Sequence, residues 1–217
     1  MASDFTYVTQ KDDKQADGYA RNENDDILHD YQDKTGVTIT SGGEKTSNTI
    51  TVDTAKDQTT DVTLQDVHIE VNTTRAKSGA IEIKGDGDTN LELNGDNTVL
   101  VENEWSEEHA AIEKADKYGT GTLTIKDDVN DNGTEKSGTE ADTTGKLLAG
   151  GYHNSAAIGG GSNTYNREYS LADTSNITIT GGEITAIGGN DGCAGIGGGY
   201  NGTGKNIRIE GNAHVTA

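Results

Sequence analysis

A short run of alternating aliphatic residues recurs along the chain and limits its fold more than any other feature. The run reads VTLQ at 62–65, LELN at 91–94, LTIK at 123–126, ITIT at 177–180 and IRIE at 207–210. Its starts are separated by 29, 32, 54 and 30 residues. A repeat of this length indicates stacked structural units, and it has to be recognised before any single element is assigned.

A second run follows the first one in each unit, and a third run follows in the first four units. The second reads HIEV at 68–71, TVLV at 98–101, KLLA at 146–149, EITA at 183–186 and HVTA at 214–217. The third reads GAIEI at 79–83, AAIE at 110–113, AAIGGG at 156–161 and AGIGGG at 194–199. Three short strands about every 30 residues, joined by Gly, Asn and Asp turns, predict an all-β protein. The specific prediction is a single-stranded right-handed parallel β-helix (β-solenoid) of about five coils, with long loop insertions.

The repeat also predicts the domain organisation. Residues 36–217 form the β-helix domain, and residues 1–35 form an N-terminal cap or extended segment, with room for a short helix. The last unit ends after its second run. We therefore expect the domain to be truncated at its C-terminus and the protein to continue.

Alternation assigns the interior of each unit, because successive side chains of a strand point to opposite faces. Two inward ladders are expected from the first runs and one from the third runs. Their members are Val62, Leu91, Leu123, Ile177 and Ile207; Leu64, Leu93, Ile125, Ile179 and Ile209; and Ile81, Ile112, Ile158 and Ile196. The glycines of AAIGGG and AGIGGG are interpreted as turn residues and not as a phosphate loop, because no GK[ST] follows them.

Charge and composition exclude several functions. The formal net charge is −20, with 37 acidic and 17 basic residues, which argues against nucleic acid and anionic membranes as partners. No long apolar run is present, so no membrane insertion is expected. The outward residues of the first runs include no convergent acid and base pair, which argues against an enzyme. The same residues break the threonine ladder that an ice-binding surface would need.

Aromatic residues in the turns are the candidate ligand-binding residues. The turn between the second and third runs places Trp105, His109, Tyr152, His153 and Asn154 along one edge of the stack. The turn after the third run places Tyr118, Tyr165 (or Tyr169) and Tyr200 along a second edge. An exposed aromatic ring can stack on the apolar face of a pyranose, while His and Asn bond its hydroxyls. The alternative is that these rings merely cover glycine-rich corners.

One segment resembles part of a calcium loop. DVNDNG at 128–133 places Asp128, Asn130 and Asn132 at the first, third and fifth loop positions. The glutamate that closes such a loop is missing, because Thr139 stands at its position. We expect that no cofactor is required, and Ca²⁺ is the candidate ion for this segment. The five histidines show no spacing typical of a zinc site.

From about residue 60 onward the chain resembles the carbohydrate-binding β-helix modules of Gram-positive bacterial surface proteins. The resemblance is carried by SGAIEIKGDGDTNLELNGDNTVLV and by the pair GGYHNSAAIGGG and GGNDGCAGIGGG. It is also similar to the starch adherence system (amylosome) proteins. This resemblance implies an α-glucan ligand such as starch, a secreted precursor and further binding modules downstream. We expect the chain itself to be a non-catalytic, monomeric module at the cell surface, with a signal peptide absent from this sequence. The alternatives are an adhesin stalk or spacer without glycan binding, and a β-helix polysaccharide lyase or hydrolase.

Overall fold

The computed structural model describes residues 17–21, 27–30, 37–72, 77–102, 109–128, 145–162, 171–190 and 192–217. These residues form nineteen strands and one 3₁₀ turn, at Asp116–Tyr118. The strands make up three sheets, in which every pairing is parallel except those of the first strand, β1 (Asp17–Arg21). The all-β prediction is confirmed. No helix among the described residues has the length and apolar character needed to cross a membrane.

Each sheet takes every third strand along the chain. Sheet 1 contains β3 (Val37–Ile39), β6 (Thr59–Gln65), β9 (Asp88–Asn94), β12 (Leu123–Lys126), β15 (Thr174–Ile179) and β18 (Gly204–Ile209). Sheet 2 contains β4 (Lys45–Thr46), β7 (His68–Asn72), β10 (Asp96–Glu102), β13 (Lys146–Gly150), β16 (Glu183–Ile187) and β19 (His214–Thr216). Sheet 3 contains β5 (Thr49–Asp53), β8 (Ile81–Lys84), β11 (Ile112–Glu113), β14 (Ile158–Gly159) and β17 (Ile196–Gly197), extended by β1 (Asp17–Arg21) and β2 (Ile27–Asp30).

This strand order makes the architecture solenoid-like, since consecutive units stack on one another. The first, second and third runs of the sequence repeat correspond to strands of sheets 1, 2 and 3 respectively. One further set of strands, β3 to β5, precedes the first unit that the repeat identified. The segment before it contains β1, which pairs antiparallel with β5, and β2, which pairs with β1. Ile27–Asp30 is thus a strand, and the short helix considered for residues 1–35 does not lie there.

The predicted isoleucine ladder of sheet 3 is confirmed. Ile81 pairs with Ile112, Ile112 with Ile158, and Ile158 with Ile196, and Ile50 extends the ladder by one strand. Ile50, Ile81, Ile112 and Ile158 have no exposed surface, whereas Ile196, in the last strand of the ladder, is half-buried. Aliphatic residues at the same position of successive strands therefore close this side of the core.

The predicted ladders of sheet 1 are wrong by two residues between β9 and β12. Leu123 pairs with Thr89 rather than Leu91, and Ile125 pairs with Leu91 rather than Leu93. A shift of two residues keeps every side chain on its predicted face, so Leu123 and Ile125 are still buried. The apolar pattern alone cannot distinguish the two registers.

Glycine stacking in the preceding turn explains the observed register. A Cβ atom on Gly121 would lie 1.8 Å from the carbonyl oxygen of Gly87, and one on Gly119 would lie 2.0 Å from that of Gly85. The Asp88 carboxylate also accepts a hydrogen bond from the backbone N–H of Thr122, at 2.8 Å. Each of these pairs is 34 residues apart, and so are Thr89 and Leu123, so the turn sets the strand register.

The ladders of sheet 1 are least buried at β18, which lies at an edge of its sheet. Ile207 is half-buried and packs against the core, whereas Ile209 is 53% exposed. Ile209 keeps its predicted ladder position opposite Ile179 but is not buried as predicted, because no strand among the described residues pairs with the outer side of β18.

Candidate functional site

The turn after β13 holds three of the predicted ligand-binding residues. The Ser155 hydroxyl accepts a hydrogen bond from the Tyr152 backbone N–H at 3.1 Å and donates one to the Tyr152 carbonyl at 2.9 Å. Ser155 is fully buried. His153 adopts a left-handed backbone conformation, with φ of 46°. The buried serine therefore fixes the turn that presents Tyr152, His153 and Asn154.

A second turn packs directly against the first. The backbone N–H of Tyr200 donates to the carbonyl of Asn154 at 2.8 Å. Strands β14 and β17 each have only two residues, so the turns before and after them lie close together. Tyr200, which the sequence places on the second edge, thus lies beside the turn of the first edge.

The side chains of these two turns form an exposed surface. Tyr152 is 42% exposed and Tyr200 is 41% exposed. The rings of Tyr152 and His153 meet edge to face, with centroids 4.3 Å apart and planes at 79°. We call Tyr152, His153, Asn154 and Tyr200 the tyrosine platform. Two partly exposed phenol rings with an imidazole and a carboxamide can offer both stacking surface and hydrogen bonds to a sugar.

Tyr118 is not part of the tyrosine platform. The Tyr118 ring is half-buried, with the Lys84 ammonium 4.6 Å and the Lys117 ammonium 5.5 Å from its centroid. These cations occupy space over the ring that a sugar would need. Trp105 and Tyr165 lie outside the described residues, so their roles stay predictions.

Asp128 is the described member of the predicted calcium loop. Its side chain is 62% exposed, and its carboxylate lies 3.5 Å from the Lys126 ammonium. Asn130 and Asn132 lie outside the described residues. The calcium site therefore stays a prediction.

His109 is buried, which does not suit its predicted contact with a sugar. Its side chain is 4% exposed, and its Nδ1 lies 2.9 Å from Oε2 of Glu113. The same oxygen accepts the backbone N–H of Ala110 at 3.1 Å. Glu113 is fully buried, so His109 belongs to a polar cluster under the surface.

Glu82 completes this cluster from the neighbouring strand. In the parallel pairing of β8 and β11, Glu82 lies opposite Glu113, and ligand atoms of Glu82, His109 and Glu113 lie within 4.8 Å of one another. The Lys84 ammonium is 2.7 Å from Oε2 of Glu82. Burial, followed by the nearby charge of Glu113, raises the pKa of the Glu82 carboxyl. We call Glu82, His109 and Glu113 the Glu–His–Glu cluster.

The sequence did contain a signal for this cluster. Glu82 and Glu113 occupy the same position of GAIEI and AAIE, and parallel in-register stacking brings equal positions together. The outward residues of the first runs, by contrast, lie in sheet 1, whereas the two glutamates lie in sheet 3.

The two candidate sites thus differ in accessibility. The tyrosine platform is partly exposed, whereas Glu82 and Glu113 are 3% and 0% exposed. Comparison of the chain with models of known protein families, with curated proteins and with solved structures found no match.

Proposed function

We propose that this chain is a non-catalytic carbohydrate-binding module of a secreted or cell-surface bacterial protein, and that it binds starch or another α-glucan. In this proposal the three sheets are the faces of one right-handed parallel β-helix, whose coils each contribute one strand to each sheet. A stack of this kind is rigid, so its turns can hold binding groups in fixed positions.

The tyrosine platform is the observation that carries the proposal. Tyr152 and Tyr200 come from successive units, yet the hydrogen bond from Tyr200 to Asn154 ties their turns together. Rings held by a rigid backbone lose little conformational entropy when a ligand stacks on them. The half-buried His153 and Asn154 add polar groups beside the rings, and their placement suits the hydroxyls of a pyranose.

An α-glucan is favoured over a flat β-glucan for two reasons. The platform is a short edge formed by two turns, which suits a curved chain better than a long flat ribbon. The resemblance to starch adherence modules points to the same ligand class. A surface of this size supports a micromolar to millimolar dissociation constant, equivalent to about −4 to −8 kcal/mol.

Native affinity electrophoresis tests the proposal. The chain is run through gels containing starch, pullulan, dextran, a soluble cellulose derivative or pectin, and we expect retardation by starch and pullulan. Tyr152→Ala and Tyr200→Ala should each weaken starch binding at least tenfold, since truncating a central ring costs about 2 kcal/mol. Ile209→Ala is the matched control, because Ile209 is an exposed apolar residue outside the platform.

The outcomes separate the predicted binding surfaces. Loss of binding in Trp105→Ala, with full binding in both tyrosine variants, would move the ligand site away from the platform. Absence of retardation by every polysaccharide would contradict the proposal and favour an adhesin stalk or spacer.

A further inference from the structure

The two buried carboxylates of the Glu–His–Glu cluster set how much positive charge this site has to hold. Glu82 and Glu113 are adjacent carboxylates, both nine-tenths buried or more. Lys84 contributes one positive charge at 2.7 Å from Glu82. A buried charge without compensation is costly, so a second carboxylate at this position requires a proton or a cation.

The donor set matches a transition-metal ion. Two carboxylates and one imidazole are ligands of Zn²⁺ and its neighbours, whereas Ca²⁺ and Mg²⁺ prefer sites made of oxygen alone. Ligand distances of about 2.0–2.2 Å require donor atoms no more than about 4.2 Å apart. The three donors lie within 4.8 Å, so small side-chain rotations would bring them into the coordination shell.

The backbone holds the three donors in place before any ion arrives. Glu82 lies between the core residues Ile81 and Ile83, and its register with Glu113 is fixed by the pairing of β8 with β11. His109 comes from the turn that leads into β11, four residues before Glu113. A site built on strands that a packed core supports requires little reorganisation on binding.

We propose that Glu82, His109 and Glu113 form a binding site for one divalent transition-metal ion, of the Zn²⁺ class. The imidazole and the two carboxylates are the protein ligands, and the ion supplies the positive charge that the carboxylate not paired with Lys84 requires. This site shares no residue with the tyrosine platform, and its proposal does not depend on glycan binding. Its role is structural, because the ion would join strands β8 and β11 and the turn that carries His109.

Isothermal titration calorimetry with ZnCl₂ tests the site on the full chain after treatment with a chelator. We expect one ion per chain, and a weakening of binding by tenfold or more in both His109→Ala and Glu82→Gln. The matched control is His68→Ala, since Nε2 of His68 lies 3.0 Å from Oε1 of Glu70 in a pair that is about one-third exposed or less. His68→Ala should change the affinity for Zn²⁺ less than twofold.

Three results would overturn the proposal. The first is that the unmodified chain shows no saturable Zn²⁺ binding. The second is that His68→Ala weakens Zn²⁺ binding as much as His109→Ala does. The third is that equimolar CaCl₂ displaces the bound Zn²⁺.

Paramagnetic Co²⁺ gives a test that needs no variant, because it shifts NMR signals close to the ion. We expect the shifted amides to include Ala110 and Ile112, and shifts centred on His68 or His153 would contradict the assignment.

Discussion

Aspartate–threonine pairs join successive turns at the level of single residues. Oδ1 of Asp86 accepts hydrogen bonds from the backbone N–H and the hydroxyl of Thr120, both at 3.0 Å. Oδ1 of Asp173 accepts the same two bonds from Thr203, both at 2.7 Å. These bonds favour the ionised carboxylates and hold the pKa of Asp86 and of Asp173 below the ordinary value for aspartate.

These lowered pKa values predict a loss of stability in acid. A carboxyl whose pKa is lower in the folded chain stabilises the fold above the unfolded pKa, which is about 3.9 for aspartate, and this contribution is lost as the pH falls through the folded value. Thr120→Val and Thr203→Val together remove the hydroxyl bonds, and they should therefore lower the stability at pH 7 and make it less dependent on pH below about 4. Urea unfolding at several pH values measures both effects.

Thr38→Val is the control for this experiment, because Thr38 is an exposed threonine in β3. The unmodified chain and this control should lose stability in parallel as the pH falls. An unchanged pH dependence in the double variant would show that the aspartate–threonine bonds do not contribute.

The role of a residue could be predicted where the local sequence around it is unusual. It was harder to predict where the role depends on contacts with residues that are distant in the sequence. Tyr152 and Tyr200 are large rings in glycine-rich turns, and both are among the more exposed large apolar side chains. Asn97, in contrast, reads as a turn residue but is buried. Its side chain accepts the Val67 N–H at 3.0 Å and donates to the Lys146 carbonyl at 3.1 Å. Its partners come from two other units, so local sequence did not reveal this role.

At the level of strands, the sequence predicted the existence and order of the strands well but predicted their register less well. The strands from β6 onward follow the three repeated runs, because alternating aliphatic residues report directly on a buried strand face. Strand β4 has only two residues, Lys45 and Thr46, so it lacks any alternation to recognise. The register of β12 depends on close backbone contacts of Gly119 and Gly121, which an apolar pattern does not encode.

Gly121→Ala tests whether turn glycines set the register of β12. The new Cβ atom would lie 1.8 Å from a backbone oxygen of Gly87, so the two turns would have to separate. We expect a loss of stability of about 3 kcal/mol, the upper range for overpacking in a rigid environment. Chemical unfolding followed by circular dichroism measures it.

Gly150→Ala is the matched control. Its Cβ atom would meet the end of the Leu100 side chain at 2.7 Å, and a flexible side chain can move away. A loss in Gly150→Ala as large as that in Gly121→Ala would contradict the role assigned to the backbone contact.

At the scale of the whole molecule, charge and topology limit what can bind. A net charge of −20 opposes polyanionic partners at low salt, whereas a neutral glycan is not repelled. Among the described strands, the pairing of β8 with β11 places the carboxylates of Glu82 and Glu113 side by side.

The burial of that pair leads to the last prediction, that the chain does not hydrolyse starch. Hydrolysis of a glycosidic bond requires two carboxyl groups on either side of the bond, and Glu82 and Glu113 are only 3% and 0% exposed. Prolonged incubation of the purified chain with soluble starch should release no reducing ends above the protein-free blank, while an amylase on the same substrate serves as the positive control. Product that increases with the amount of chain and disappears in Glu82→Gln would contradict the prediction, because a catalytic carboxyl would then be reached by the polysaccharide.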